Sequence, residues 1–215
     1  MKIWDISRTL SEDLAEWPGD EPFHFRLTRT LAEGQSVNLG AISMSVHNGT
    51  HADAQFHFDM NGASIEKASL EIYVGRAIVV DLSETFFQST EKHLITREDL
   101  RPHAEEIAAT SRLLVKTDRW SDSTVFPNRI PVIAADVPAW LQKNGAKLLG
   151  VDLPSMDELD SKSLQNHHAL ARAGIAIIES LDLSDVAPGI YNFAALPLKI
   201  AGADGAPVRA VLWRD

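Results

Sequence analysis

Residues 72–82 read Ile-Tyr-Val-Gly-Arg-Ala-Ile-Val-Val-Asp-Leu. The run is rich in Val and Ile, whose branched Cβ atoms suit a pleated strand better than a helix. It reads as a buried strand broken at Gly75. Downstream, Arg112–Lys116, Ile130–Ala134, Lys147–Val151 and Ile175–Leu181 read as strands, and Tyr191–Ile200 and Pro207–Trp213 close the chain the same way. Upstream, a strand near Lys2–Ser7 precedes Trp17-Pro18-Gly19-Asp20, where Pro then Gly suit a type II turn. Phe23–Leu31 and Gly40–His47 read as paired strands. In the second, Ile42, Met44 and Val46 alternate with Ser43, Ser45 and His47, the period of a half-buried strand.

Helices are fewer. Thr96–Ala109 has Thr96 as N-cap with Asp99 three positions on, a weak capping box. Val137–Lys143 stops at Asn144-Gly145, and Ser161–Ala173 is closed by Gly174. A regular βα repeat would need a helix after nearly every strand. The expectation is therefore an α/β fold: a single domain, 1–215, with a mixed, strand-rich sheet and few helices.

The composition fits a globular chain of this size, with 45% hydrophobic and 23% charged residues among 215. Thirty acidic residues against 20 Lys and Arg give a net charge of −10, which argues against a nucleic-acid partner. No apolar run is long enough to span a membrane, and the N-terminus lacks the apolar stretch of a signal peptide, so a soluble, cytoplasmic protein is expected. There is no Cys. Any metal must be held by nitrogen and oxygen.

The chemistry concentrates in His47-Asn48-Gly49-Thr50-His51-Ala52-Asp53-Ala54-Gln55-Phe56-His57. Three His and one Asp fall at odd positions, so an extended chain would send them to one side, whereas a helix would scatter them. Imidazole nitrogen and carboxylate oxygen suit a borderline divalent ion such as Zn²⁺. Asn48-Gly49 lets the chain bend so that the ligands can converge. A second group is His167-His168 with Glu179, the latter inside an apolar strand where a carboxylate is costly unless paired or metal-bound. A salt bridge to Arg172 or Lys199 is the plain alternative for Glu179. With an ion already supplied by the first cluster, a bridging carboxylate fits better. Five ligands exceed what one catalytic zinc uses while keeping a position open, so two ions suit the count. The G-x-S-x-G, H-E-x-x-H, P-loop and G-x-G-x-x-G motifs are absent from the sequence.

The stretch HNGTHADAQFH resembles the H-x-G-T-H-x-D-x-P-x-H signature of the cyclase family of metal-dependent hydrolases. Within that family the chain is most similar to the bacterial kynurenine formamidases (arylformamidases), through WDIS at 4–7, WPGD at 17–20, LDSK at 159–162, HHAL at 167–170, IIE at 177–179 and ALPLKIAGADGAPVRAVL at 195–212. The resemblance implies that His47, His51 and Asp53 bind metal, that Asp53 bridges two zinc ions, and that His167 and Glu179 complete the site. His167 is matched because it lies twelve residues before the Glu, as in the family; no role is assigned to His168. The resemblance further implies proton transfer by His57 and a substrate-facing Trp17. Gln55 departs from the usual Pro.

The implied activity is hydrolysis of N-formyl-L-kynurenine to L-kynurenine and formate through a metal-activated hydroxide, in tryptophan degradation. Two divalent ions per chain are implied, Zn²⁺ or alternatively Mn²⁺, with a small aryl formamide as substrate and a homodimer as the assembly. The rival in chemistry is a hydrolase of another amide or lactam such as isatin. The rival of another class is a non-catalytic ligand-binding protein with a structural metal, which the surplus of His and carboxylate disfavours.

Overall fold

A computed structural model describes residues 1–88 and 92–214. Its thirteen strands are β1 (Lys2–Asp5), β2 (His24–Arg29), β3 (Leu39–Ser43), β4 (His51–Asp53), β5 (Val74–Asp81), β6 (Leu94–Ile95), β7 (Arg112–Lys116), β8 (Val132–Ile133), β9 (Leu148–Val151), β10 (Ala176–Glu179), β11 (Gly189–Ala194), β12 (Gly205–Pro207) and β13 (Val211–Arg214). Nine of them form one mixed sheet in the order β1-β13-β11-β5-β7-β9-β10-β4-β12. Strands β5, β7, β9 and β10 run parallel at its centre, and the pairs on either side are antiparallel. Strands β6 and β8 make a small parallel pair, and β2 with β3 a separate hairpin. The α-helices are short: α1 (Ser83–Gln88), α2 (Arg97–Leu100), α3 (Ala104–Thr110), α4 (Val137–Lys143) and α5 (Gln165–Arg172). This is the α/β, strand-rich architecture expected.

The unbroken apolar run at 77–80 follows from burial on both faces of β5. Ile78 and Val80 point into a core shared with Phe86, Leu100, Ile107, Leu141 and Leu170 from the helical segments. Their neighbours Ala77 and Val79 point the other way, into a core with Tyr191, Phe193, Ile178 and Leu212. A central strand buried on both faces needs apolar side chains at every position, so it shows no alternation. Strand β7 does the same, with Leu113 and Val115 on one side and Leu114 on the other.

Several boundaries differ from expectation: β11 ends at Ala194 rather than Ile200, the segment expected as one strand at Pro207–Trp213 divides between β12 and β13, and three further differences have identifiable causes. The helix at 96–109 starts on the capping box of Thr96 and Asp99, but Pro102 interrupts it with a 3₁₀ turn at Arg101–His103. Proline's missing N–H and its ring clash explain the break. Helix α5 begins at Gln165, not Ser161, because the Asp157 carboxylate accepts the backbone N–H groups of Asn166 and His167 and so caps the helix from outside the local sequence. Strand β3 ends at Ser43, and its hairpin with β2 is exposed rather than half-buried, with Ile42 61% and Phe25 52% accessible. Apolar alternation there marks a surface that no other part of the chain covers.

Candidate metal centre

Only 51–53 of the His-rich stretch is a strand. Period 2 does place His51 and Asp53 on one face, but His47 arrives through a turn and His57 through a 3₁₀ turn at Gln55–His57. The bend before the strand uses Gly49 at φ +65°, the left-handed conformation that glycine adopts without strain. The Thr50 hydroxyl donates to the Ser180 carbonyl at 2.6 Å, fastening this turn to the end of β10. Gln55 opens the 3₁₀ turn, a position where Pro is also accommodated because its absent N–H needs no partner. The departure from the signature is therefore compatible with the same backbone.

Four elements converge. Strand β4 brings His51 and Asp53, β10 brings Glu179 directly opposite His51, α5 brings His167, and the turn brings His47. His47 Nδ1 lies 3.2 Å from Asp53 Oδ1, and His51 Nε2 lies 3.4 Å from the same oxygen. His167 Nε2 lies 3.3 Å from Asp53 Oδ2 and 3.2 Å from Glu179 Oε1. Three ligand-like groups result, His47–His57–Asp204, His47–His51–Asp53 and Asp53–His167–Glu179, and Asp53 belongs to the last two. His168 lies against Phe58, at 5.3 Å between ring centroids, and is in none of these groups. Glu179 is paired with His51 and His167 and accepts the backbone N–H of Met156 at 2.8 Å, in place of the salt bridge to Arg172 or Lys199 weighed as its alternative.

The hydrogen-bond network decides which nitrogen faces the centre. His51 Nδ1–H donates to the Gly49 carbonyl at 2.9 Å, and His167 Nδ1–H donates to Asp157 at 2.7 Å. His47 Nε2–H donates to Asp204 at 3.0 Å. The remaining nitrogen of each ring therefore turns toward Asp53, the arrangement by which carboxylates and carbonyls orient metal-binding imidazoles. Both oxygens of Asp53 are buried without a hydrogen-bond partner. Lone pairs facing lone pairs in a buried space need cations between them.

Protons meet that need when metal does not. Burial opposes a charge on His47, yet its hydrogen bond to Asp204 and the adjoining Asp53 carboxylate push its pKa up to about 10. Burial likewise opposes a charge on His167, but Asp157, Asp53 and Glu179 carry it to about 12. Burial would raise Asp53, and the three imidazoles outweigh it and hold the carboxyl well below the usual range. The donor set, all nitrogen and oxygen with a carboxylate common to both halves, fits a pair of divalent ions.

His57 stands beside this group. Its Nδ1 lies 3.3 Å from Asp204 Oδ2, and its ring centroid is 4.0 Å from that of His47. Asp204 thus touches both His47 and His57, and His47 in turn, with desolvation opposing, holds its pKa far below normal. Sequence reading missed Asp157 and Asp204. Asp204 sits in the quoted 195–212 segment, but nothing in its spacing links it to residues 47–57; β12 pairs with β4 and brings it there. Gly205, opposite Asp53, is also constrained, since a Cβ there would lie 2.8 Å from His47 Cε1.

A cavity of about 250 Å³ opens onto the centre, lined by His47, His51, His57, His167 and Glu179 together with Trp17, Trp120 and Phe126. Trp17 reaches it from the turn at 17–20, closed by the Asp20 N–H on the Trp17 carbonyl at 3.0 Å. Its ring meets Phe126 edge-on at 5.3 Å. Six of the seven residues singled out from the sequence therefore line this cavity, and the seventh, Asp53, contacts His47, His51 and His167 of the lining.

Known proteins resemble the chain along nearly its whole length. Residues 4–158 match the family model Cyclase. The chain is 45% identical over 99% of its length to a kynurenine formamidase of Geobacillus thermodenitrificans (strain NG80-2), covering 98% of that protein. A kynurenine formamidase of Bacillus thuringiensis subsp. konkukian (strain 97-27) is 42% identical over 97% of this chain and 95% of its own. A solved structure described as a potential metal-dependent hydrolase with cyclase activity superposes with a TM-score of 0.78 at 28% identity, covering 98% of this chain and 96% of that one. Isatin hydrolase A from Ralstonia solanacearum gives a TM-score of 0.82 over 98% of this chain and 91% of its own, but at 24% identity this speaks for the fold alone. Among the described residues, no helix is long and apolar enough to cross a membrane. The chain belongs to the cyclase family.

Proposed function

We propose that this chain is a metal-dependent amide hydrolase, an arylformamidase that converts N-formyl-L-kynurenine and water to L-kynurenine and formate. The observation that carries the reading is a two-sided His and carboxylate centre, joined at Asp53, at the end of an aromatic cavity. Identity of 45% along almost the whole chain to a kynurenine formamidase supports the choice of substrate. In this reading His47, His51 and Asp53 hold one divalent ion, and Asp53, His167 and Glu179 hold a second, with Zn²⁺ the expected metal and Mn²⁺ the alternative. Residues 1–215 act as one hydrolase domain.

When bound, the ions supply Lewis acidity and lower the pKa of water from about 15.7 toward about 7. The residues do the rest. Trp17, braced by Phe126, covers the aryl ring and fixes the formyl group against the centre. Asp204 engages His57 through Nδ1, which leaves Nε2 to hold a proton and return it to the departing aryl amine. Asp157 and Asp204 keep His167 and His47 in the tautomers that face Asp53.

Two finer points belong to the proposal. A cytoplasmic protein follows from the sequence reading. A homodimer is the assembly that suits the exposed β2–β3 hairpin, because an isolated two-stranded hairpin is marginally stable in water and this one exposes Phe25, Leu27, Leu39 and Ile42. The enzymatic reading is tested by following formate release from N-formyl-L-kynurenine and ring opening of isatin side by side with the metal-loaded protein. Preferential turnover of the formamide is expected. Preferential opening of isatin would assign the site to the lactam instead.

A further inference from the structure

The cavity over the centre has a lining that the hydrolytic step itself does not use. One side is aromatic, but Glu16 and Asp20, both half-buried, bring two carboxylates to the same space. Asp20 is held by the Ser45 hydroxyl at 3.0 Å, and among the described residues no Lys or Arg lines the cavity. The Arg8 guanidinium stacks 4.0 Å from the Trp120 ring centroid, but it donates to the carbonyls of Trp120 and Asp152 and lies outside the lining. Asn48 adds an independent observation. This lining residue is 3% exposed; its Nδ2 donates to the Glu21 carbonyl at 3.1 Å, while its Oδ1 is buried with no hydrogen-bond partner. A buried amide oxygen without a donor is rare in folded proteins and asks for one.

We propose that Glu16, Asp20 and Asn48 form a subsite for an ammonium group, so that the preferred aryl formamide carries an aminoalkyl chain. This deepens the hydrolase reading above and rests on it. An alkylammonium has three N–H donors and no acceptor, which matches a wall of acceptors. Bonds from it to carboxylates are charge-assisted and roughly twice as strong as neutral ones. A substrate carboxylate entering the same place would meet two like charges and, among the described residues, no Lys or Arg. An amino-acid side chain therefore enters with its ammonium toward residues 16, 20 and 48 and its carboxylate toward solvent.

The test uses the amine products, so that it reads binding independently of turnover. Four 2-aminophenyl ketones are titrated into the metal-loaded protein, following tryptophan fluorescence: one with both ammonium and carboxylate on the side chain, one with each alone, and one with neither. Removing the ammonium should weaken binding about tenfold or more, and removing the carboxylate less than about threefold, as charge-assisted bonds to half-buried groups allow. In Glu16→Gln and in Asp20→Asn the preference for the ammonium ligands should fall severalfold. That preference is a ratio within each variant, so a loss of folded protein cancels. Equal binding of the ammonium-only and carboxylate-only ligands, or an unchanged ratio in both variants, would overturn the subsite. Failure to hydrolyse any aryl formamide would instead overturn the hydrolase reading, with the binding preference judged separately.

Discussion

Glu179 of β10 stands directly opposite His51 of β4, and its Oε2 lies 3.6 Å from His51 Nε2. Residues directly opposite across an antiparallel pair share a face of the sheet. That pairing, with Asp53 two residues along β4, assembles the centre from strands far apart in sequence. The side chains that complete it, His47, His57 and His167, come from the turns and the helix at the same end.

In the proposed reading His57 moves a proton without holding an ion. It touches Asp204 and packs on His47, and with them makes a third ligand-like group, but it lies outside the two groups that share Asp53. His57→Asn is expected to retain its metal while kcat falls about 10²–10⁴-fold, the usual range for losing a general acid–base. Metal analysis and steady-state kinetics on the same preparation check this. Loss of one metal equivalent with activity restored by excess metal would make His57 a ligand.

Asp157 acts through His167. Its carboxylate accepts His167 Nδ1–H at 2.7 Å as well as the backbone N–H groups that start α5. Asp157→Asn should weaken metal affinity about 10–100-fold, as expected for loss of an orienting carboxylate behind a metal-binding imidazole. Competition with a chromogenic chelator measures it. An affinity unchanged from the parent protein would confine Asp157 to capping the helix.

In the proposed reading Trp17 acts on the ring of the substrate and not on its formyl group. Trp17→Ala should raise KM for an aryl formamide more than for a small aliphatic one, by about 0.5–1.5 kcal/mol beyond area burial. Equal losses on both substrates would make Trp17 a packing partner of Phe126.

Gly205 tests the position of His47. A methyl group there would lie 2.8 Å from His47 Cε1 and 3.1 Å from the Ala52 carbonyl, so the ring must shift. Gly205→Ala is expected to lower metal content and activity together. Full metal content with full activity would show that His47 can move without consequence.

Much of this was legible in the sequence, and the reasons for the remainder are physical. Apolar side chains at 77–80 and 113–115 declared the central strands, because a strand buried on both faces admits little else. The metal-type residues were legible as a composition, three His and an Asp within eleven positions. Their geometry was not. A period-2 face was a fair description of His51 and Asp53, but His47 and His57 reach the centre through a turn and a 3₁₀ segment. Asp157 and Asp204 were invisible because their partners lie ten and more residues away and meet them only through α5 and β12. The β2–β3 hairpin misled for another reason: alternation reports a face that will be covered, and here the rest of the chain does not cover it.

The central claim is that Asp53 joins two metal sites, and the most direct measurement is the metal stoichiometry of the parent protein and of Asp53→Ala. Protein purified without chelator and saturated with Zn²⁺ should hold close to two equivalents per chain. Asp53→Ala should lose both, since each of the two proposed sites includes that carboxylate. A parent protein fully active at one equivalent, or an Asp53→Ala variant that still binds two, would contradict the account.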